Sequence, residues 1–262
     1  MLALALGSVS VLAPLCLSRD WPIARTVMAF GFAAGFLRVI QVVRHPAGTT
    51  MGGRALSVIT LVIDPRRLVR THRELRLDAF IAGIVETGLA FALFLAPYPH
   101  TLGVLRTLVG AVSAYLVVEG VARLIEGVVA LAGVDAGPLH DAPIRARTVS
   151  EFWSRRWNRA IHVWLNEHAF RPTAIRLGGA MGVMAAFGAS ALLHLIPIWI
   201  ACDFPHAIAM GSFFLLHGGI VIVESKLGVA RWPRLLGHVW TLGIFAITMP
   251  LFVEPMLVSL GR

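Results

Sequence analysis

The sequence is poor in charged residues. Only 14% of its 262 residues are charged and 57% are hydrophobic, whereas about a quarter of a soluble domain is charged. The mean hydropathy of +0.78 also excludes an ordinary soluble domain. The length allows about seven membrane helices of roughly 20 residues and no separate soluble domain. We therefore predict an all-α, polytopic membrane bundle of about seven spans, forming a single transmembrane domain over residues 1–262.

Lysine and cysteine are also scarce. Lys226 is the only lysine, so the net charge of +9 comes almost entirely from arginine. This replacement is typical of a GC-rich genome, from which we expect a multi-pass protein of a bacterial inner membrane. The two cysteines, Cys16 and Cys202, lie at the edges of distant apolar segments and do not predict a disulfide. In such an apolar chain the basic excess is mainly an orientation signal, and nucleic-acid binding is not expected.

The N-terminus lacks the basic region and the small-residue cleavage site of a secretory signal. Residues 2–17 are therefore expected to form a retained, rather short first span. The run Ala55–Ile63 is too short to cross a membrane, and we interpret it as a re-entrant or interfacial piece that leads into a basic surface helix. The predicted spans cover residues 2–17, 26–43, 78–96, 106–131, 177–201, 207–223 and 236–260.

Basic residues are distributed unevenly between the loops. With seven spans, the segments 44–77, 132–176 and 224–235 fall on one side and contain seven, seven and three of the 23 basic residues. The other side receives four. The positive-inside rule therefore places the segment 132–176 in the cytosol.

A tryptophan-rich segment, residues 148–171, follows a turn-rich linker. Thr148 and Glu151 have the spacing of a capping box, which predicts the start of a helix of about 18 residues. On that helix one aromatic stripe and one polar stripe should lie side by side at the membrane surface. The alternative interpretation is a helix that only anchors the chain. The aromatic stripe holds Trp153, Trp157, Ala160 and Trp164, and the polar stripe holds Arg155, Asn158 and His162.

Two histidines lie inside predicted spans. His194 comes about 18 residues after Arg176, or roughly 27 Å along a helix, which is deep in the hydrocarbon core. An ionisable side chain at that depth is a functional candidate by default, although a neutral imidazole can also bond a neighbouring helix. His217, on the next span, is more simply explained by helix packing. The two imidazoles lack further ligands nearby, so no metal site is predicted.

The fourth predicted span carries three charged residues on one face. Glu119, Arg123 and Glu126 are spaced four and three residues apart. This spacing predicts an ion-paired ladder that faces the bundle, with Glu86 on the third span as a possible partner. A polar access path is the alternative.

The run from Glu151 to Asn158 (EFWSRRWN), the following His162-Val163-Trp164, and His194 downstream resemble the wax synthase branch of the membrane-bound O-acyltransferase superfamily. The run from Phe213 to Gly218 (FFLLHG), followed by Glu224, also resembles that branch. The resemblance covers about residues 148–226 and implies acyl transfer from acyl-CoA to an alcohol, with His194 as the catalytic histidine and Asn158 as its companion. The sequence departs from the family pattern in two ways. Leu195 follows the histidine where many relatives have an acidic residue, and the chain is shorter than most members of the superfamily. Substrate contacts are expected from Trp153, Arg155, Arg156, Trp157, Arg159, His162, Ser190 and His217.

The chemistry can be argued from the residues. A buried, neutral His194 can take the proton from the hydroxyl that attacks the thioester. The Asn158 amide can stabilise the developing oxyanion. Arg155, Arg156 and Arg159, with Arg145 and Arg147, would bind the CoA phosphates or, alternatively, lipid headgroups. Acyl-CoA is expected as co-substrate, with no other cofactor, and the partners are a lipophilic alcohol and membrane lipid.

Several alternatives stay open. A covalent intermediate on Ser190 or Cys202 is less favoured than direct transfer, because no third activating group is evident. The donor can instead be acetyl-CoA or a short-chain acyl-CoA, and the acceptor a terpenoid, sterol or polyketide hydroxyl. A non-catalytic transporter or lipid-binding protein is the rival class, in which His194 and the Glu119 ladder would form a path.

Overall fold

The computed structural model describes residues 7, 9–44, 69–70, 76–95, 103–131, 134–135 and 137–261. Ten α-helices occur in the described ranges, and the only strands there are β1 (Val69–Arg70) and β2 (Val134–Asp135), a two-residue antiparallel pair. The all-α membrane fold is therefore confirmed. The helices are α1 (Pro22–Arg44), α2 (Leu77–Leu95), α3 (Gly103–Leu131), α4 (Val149–Glu151), α5 (Arg159–Leu165), α6 (Arg171–Leu177), α7 (Gly179–Ala201), α8 (Phe204–Leu227), α9 (Arg234–Thr248) and α10 (Pro250–Ser259).

Four of these helices, α2, α3, α7 and α8, are long and apolar enough to cross a membrane. The pair α9 and α10, bent by 44° at Met249 and Pro250, makes up to a fifth span. Because several apolar helices are present, the chain is a multi-pass integral membrane protein. The described residues thus supply four or five of the seven predicted spans. Helix α1, Pro22–Arg44, covers the second one.

Two expectations fall wholly or partly on residues that the structure does not describe. The interfacial piece 55–63 lies outside the described residues, as does most of the basic surface helix that should follow it. Where that helix is described, at Val69–Arg70, the prediction is wrong, because these residues pair with Val134–Asp135 as strand β1. The first predicted span, 2–17, is described only from residue 7 with a gap at residue 8. There the prediction of a continuous helix is wrong, because the chain turns at residues 11–12 and continues as a short 3-10 helix, Ala13–Cys16. Pro14 in that turn cannot donate a helical hydrogen bond.

Two helix pairs form the framework. Helix α2 packs on α3, and α7 packs on α8, with α1 and α10 against the second pair. The α2–α3 contact is close, since a Cβ added at Gly83 would lie 2.8 Å from the Gly120 carbonyl oxygen. Small residues at such a crossing let membrane helices approach closely without a water-driven hydrophobic force.

The buried core lies among α7, α8 and α9. Its centre consists of Ala191, Ile198, Ala207, Met210, Phe213, Phe214 and Phe245. Phe152 and Trp153, from the tryptophan-rich segment, pack directly against this core. The segment is therefore docked on the bundle through its aromatic side chains.

Hydrogen bonds show which helix ends share a side. The backbone amides of Val149 and Ser150, at the start of α4, donate to Glu224 near the end of α8. At the other end of the bundle Arg25 of α1 donates to the Ile200 carbonyl, and Thr26 donates to the Ser259 carbonyl. The tryptophan-rich segment and residues 224–235 are thus on the same side, as the alternation of spans predicts.

Candidate active site

His194 lies fifteen residues into α7, roughly 22 Å from its start. Its Nδ1 is 2.8 Å from the backbone carbonyl oxygen of Ser190, one turn earlier. A carbonyl oxygen only accepts, so Nδ1 carries the ring proton and Nε2 keeps its lone pair. No described residue bonds Nε2, and the side chain is only partly buried. The local geometry therefore sets the tautomer that can accept a proton at Nε2.

Proline shapes the helix just after this histidine. Pro197 lies inside α7 and has no N–H to donate. The carbonyl of Leu193, four residues earlier and next to His194, therefore loses its helical partner. The turn that carries His194 is thus more polar than the surrounding apolar sequence indicates.

The His194 ring is held between two phenylalanines. It stacks on Phe214 of α8 with a centroid distance of 4.1 Å, and the edge contact with Phe30 of α1 is at 5.9 Å. Phe214 also contacts Trp153, at 5.7 Å, and Trp153 contacts His217 at the same distance. The structure thus brings His194, Trp153 and His217 to one aromatic cluster, which we name the ring cluster. Its members are Trp153, His194, Phe213, Phe214, His217 and Phe245.

Asn158 occupies a break between two helices. Its backbone is left-handed, with φ of 39°, and its side-chain oxygen accepts from the backbone N–H of Ile161 at 3.2 Å. Asn158 is therefore the N-cap of α5. Because the oxygen must be the acceptor, the orientation of the amide is fixed and its NH₂ group remains available as a donor.

The predicted 18-residue helix is wrong. After α4 the chain forms a π-helical turn, Phe152–Arg156, then breaks at Asn158, and a second π-helical turn, Asn166–Phe170, separates α5 from α6. These irregularities disrupt the period on which the stripes depend. Each tryptophan has a different environment: Trp153 is in the ring cluster, Trp157 stacks on His140, and Trp164 stacks on His168. The predicted start is correct, since the Thr148 hydroxyl oxygen accepts from the Glu151 amide.

A loop from the preceding linker holds the break at Asn158. The Asp141 amide donates to the Arg156 carbonyl at 2.8 Å, and the Arg159 amide donates to the Leu139 carbonyl at 3.0 Å. These two bonds flank Asn158 on both sides. Its strained backbone conformation is therefore imposed by tertiary contacts rather than by local preference.

The arginines of the segment divide into two groups. Arg156 pairs with Glu151 at 2.7 Å and also donates to the Asp141 carbonyl, and Arg159 reaches the Pro138 carbonyl. These two arginines therefore bind the segment to the preceding linker. Arg155 and Arg145 are exposed and have no charged partner among the described residues. His162 is partly buried in α5.

The predicted charge ladder is present. Arg123 lies 2.9 Å from Glu86 and 3.4 Å from Glu119, so the third predicted span does supply the partner. Glu126 instead accepts from the backbone amide of Leu139. Glu119 also binds Nδ1 of the buried His140 at 2.8 Å. The ladder thus connects α2 and α3 to the loop that holds Asn158.

Sequence reasoning missed His140 and the role of Glu224. His140 lies in the turn-rich linker, where no periodic pattern marks a buried residue. Glu224 is buried and accepts from Trp240 Nε1 as well as from the first amides of α4. The sequence marks Glu224 as a single acid at the end of an apolar run and as part of the resemblance, but neither signal predicts that it bonds the start of α4.

The candidate nucleophiles are poorly placed for activation. His194 bonds the backbone oxygen of Ser190 and not its hydroxyl. Cys202 follows α7, where burial, with the adjacent Asp203, raises the pKa of its thiol to about 11. Cys202, Asp203 and His206 also place their ligand atoms within 4.8 Å of one another. Asp203 caps α8 there by accepting from the His206 amide.

The fold and this geometry define a class: an integral membrane helical protein whose tryptophan-rich segment is docked against a span with a histidine among aromatic rings. Residues 136–216 match the membrane bound O-acyl transferase family. This match confirms the resemblance to the superfamily over the segment that carries both Asn158 and His194, and relatives named as long-chain-alcohol O-fatty-acyltransferases support its wax synthase branch.

Named relatives are similar over the same part of the chain. The chain is 32% identical to a probable long-chain-alcohol O-fatty-acyltransferase 1 of Arabidopsis thaliana, over 46% of this chain and 38% of that protein. It is 26% identical to the long-chain-alcohol O-fatty-acyltransferase of Simmondsia chinensis, over 49% and 40%. It is also 26% identical to an acyl-CoA–sterol O-acyltransferase 1 of Arabidopsis thaliana, over 53% and 44%. The matches thus cover less than half the length of these relatives, and because they are plant proteins they give no support to a bacterial inner membrane.

Proposed function

We propose that the protein is a membrane O-acyltransferase that transfers an acyl group from acyl-CoA to the hydroxyl of a lipophilic alcohol. The observation that carries the proposal is the His194 geometry, in which the Ser190 carbonyl fixes the proton on Nδ1 and leaves Nε2 as the base. Similarity to long-chain-alcohol O-fatty-acyltransferases supports the reaction class.

In this proposal the alcohol oxygen attacks the thioester carbon while His194 Nε2 takes its proton. The carbonyl oxygen becomes an oxyanion, and the free NH₂ group of Asn158 donates to it. Collapse of the intermediate expels the CoA thiolate, which recovers a proton from the imidazolium, so His194 ends neutral. Stabilisation by one such donor is worth about 3 to 4 kcal/mol in other enzymes. Of the arginines predicted to bind CoA, the exposed Arg155 and Arg145 have no charged partner among the described residues and can bind the CoA phosphates.

A sterol acceptor is the second candidate, because one similar protein is named as an acyl-CoA–sterol O-acyltransferase. A fatty alcohol is preferred, since more of the similar proteins are named for long-chain alcohols. The transporter alternative loses support, because the acids of its supposed path are engaged by Arg123, His140 and the Leu139 amide. We place the reaction inside the bundle at His194, beside the aromatic side chains of the tryptophan-rich segment, with acyl-CoA entering from the cytosolic side of the membrane.

The test is an assay of membranes with radiolabelled acyl-CoA and a panel of fatty alcohols and sterols. His194→Ala should lower kcat by about 10² to 10⁴, the usual contribution of a general base. The matched control is His206→Ala. His206 lies near the start of α8, at the end of the bundle opposite the tryptophan-rich segment, and this variant should keep the wild-type rate. Unchanged turnover in His194→Ala, at equal expression, would refute the proposal.

Asn158→Asp separates two roles of the asparagine. A carboxylate oxygen can still accept from the Ile161 amide, so the helix cap is kept, whereas the NH₂ donor is lost. We expect kcat to fall by about 10² to 10³ with the thermal stability of the protein retained. Asn158→Gly, which tolerates the left-handed backbone but lacks both functions, should lose stability as well as activity.

A further inference from the structure

Two buried polar atoms in the ring cluster have no hydrogen-bond partner among the described residues. One is Nε1 of Trp153 and the other is Nδ1 of His217. His217 is completely buried, and the two rings contact each other at a centroid distance of 5.7 Å with planes 53° apart. Buried polar atoms are nearly always paired in folded proteins, so two unpaired atoms on touching rings call for an explanation.

The hydrogen-bonding character of each atom follows from the structure. An indole N–H only donates. For His217, Nε2 lies 3.2 Å from the Thr248 hydroxyl oxygen, and that hydroxyl donates its single proton to the Ile244 carbonyl at 2.8 Å. The shorter bond assigns the hydroxyl proton to the Ile244 carbonyl, so Nε2 of His217 is assigned the ring proton and donates to Thr248. It follows that Nδ1 of His217 is a bare acceptor.

The cluster thus presents one free donor and one free acceptor. A direct bond between the two atoms would satisfy both, but it is not formed. A single ligand atom satisfies both only if it accepts from Trp153 and donates to His217. A hydroxyl group does this, whereas a ketone or ether oxygen can only accept.

The two rings are separated from the reacting centre by one phenylalanine. Phe214 stacks on His194 and also contacts Trp153. The hydroxyl that loses its proton to His194 must lie within hydrogen-bond reach of its Nε2. A hydroxyl bound by Trp153 and His217 would lie beyond Phe214, and would therefore be a second oxygen of the substrate and not the one that reacts.

We propose that Trp153 and His217 form a subsite for a second hydroxyl group of the acceptor, so that the preferred acceptor is a lipophilic diol or hydroxylated alcohol and not a plain fatty alcohol. This rests on the proposed function. Trp153 lies on the π-helical turn Phe152–Arg156. Movement of that turn would separate the rings and admit the hydroxyl.

Two measurements test the subsite. The first uses purified protein in detergent without acyl-CoA and compares the rise in Tm given by hexadecan-1-ol with that given by a series of hexadecane diols whose second hydroxyl moves along the chain. The second measures kcat/KM for the same acceptors with acyl-CoA. We expect one diol to exceed the plain alcohol by about tenfold in kcat/KM, as two added hydrogen bonds allow. The same diol should give the larger rise in Tm.

Two variants assign the effect to the proposed atoms. Trp153→Phe keeps an aromatic ring but removes the donor, and it should bring the ratio of kcat/KM for the diol and the plain alcohol close to one. The matched control is Trp164→Phe, which removes another buried, unpartnered indole N–H outside the ring cluster and should leave the ratio unchanged. Thr248→Val removes the partner of His217 Nε2, so the ring proton can move to Nδ1. Trp153 Nε1 and His217 Nδ1 can then both donate, and the preference should move from the diol to the corresponding keto-alcohol.

The outcomes separate the two proposals. If no ester forms with any acceptor while the diol still raises Tm more than the alcohol, the proposed reaction fails and the subsite stands. If esters form but no diol is preferred in either measurement, the subsite is refuted and the reaction stands. A preference that survives Trp153→Phe and is not changed by Thr248→Val also refutes the subsite.

Discussion

The imidazole of His140 lies almost flat on the indole of Trp157, with ring centroids 4.5 Å apart and planes 16° apart. The same imidazole donates from Nδ1 to Glu119 on α3. Trp157 directly precedes Asn158, so the stack connects the α2–α3 pair to the residue proposed to stabilise the oxyanion. His140 is in this way a positioning residue, acting through Trp157 and not on the substrate.

His140→Ala should lower kcat by about tenfold, because it removes both an aromatic stack and a hydrogen bond to a carboxylate. The KM for acyl-CoA should change less, since the exposed arginines are not involved. His140→Phe keeps the stack and should recover much of the loss, which a purely electrostatic role would not predict. Steady-state kinetics on the three proteins decides this, with His206→Ala as control. An equal loss in both His140 variants would contradict positioning by stacking.

Glu224 is the anchor of the tryptophan-rich segment. Its carboxylate accepts from the backbone amides of Val149 and Ser150 and from Trp240 Nε1, all at 2.8 to 2.9 Å. Glu224→Gln places an NH₂ group against at least one of these donors, and we expect a loss of about 3 kcal/mol in the free energy of unfolding. The measurement is Tm in detergent. Glu126 accepts only from the Leu139 amide among the described residues, so Glu126→Gln should cost clearly less, and equal losses would contradict this interpretation.

Glu151 makes the segment sensitive to acid. Burial alone would raise the pKa of its carboxyl, but the hydrogen bonds from the Arg147 amide and Arg156, with both guanidinium charges, hold that pKa below its ordinary value of 4.5. A lowered pKa in the folded state means that the carboxylate stabilises the protein above pH 4.5, and that this contribution is lost as the pH falls through the folded value.

The pH dependence of Tm checks this directly. Between pH 7 and pH 3 the wild type should lose more Tm than Glu151→Gln, which cannot titrate. Thr148 still caps α4 in that variant, so the segment should stay folded near neutral pH. Parallel curves for the two proteins below pH 4.5 would show that Glu151 is not responsible.

Much of the site could be predicted where side chains follow a regular period. The Thr148 cap, the pairing of Arg123 with Glu119, and the spans around α2, α3, α7 and α8 all depend on local spacing within one helix or on long apolar runs. Such signals survive packing, because membrane helices satisfy their backbone groups internally.

The geometry around Asn158 could not be predicted in this way. The run from Glu151 to Asn158 contains no glycine or proline, and its local preferences favour one continuous helix. What breaks that helix is the pairing of the Leu139 carbonyl with the Arg159 amide and of the Asp141 amide with the Arg156 carbonyl. Contacts between a linker and a helix leave no periodic trace, which is also why His140 was missed.

The Cys202 thiol should be unreactive. Its pKa of about 11, against an ordinary 9.0, implies roughly a hundredfold lower thiolate fraction at neutral pH. In a Cys16→Ser background the rate of alkylation by iodoacetamide should rise with pH to near 11. Asp203→Asn removes the adjacent carboxylate and should speed labelling at pH 8. A rate that levels off below pH 9 would contradict the raised pKa.

Direct transfer predicts that no acyl group is ever attached to the protein. Incubation with radiolabelled acyl-CoA and no acceptor, followed by denaturation, should leave no label on the chain. Ser190→Ala keeps the backbone carbonyl that bonds His194, so the imidazole tautomer is preserved and His194-dependent ester formation should persist, with kcat lowered by less than about tenfold. A covalent label that disappears in Ser190→Ala would instead establish Ser190 as a nucleophile, and His194 would then act on its hydroxyl and not on that of the alcohol.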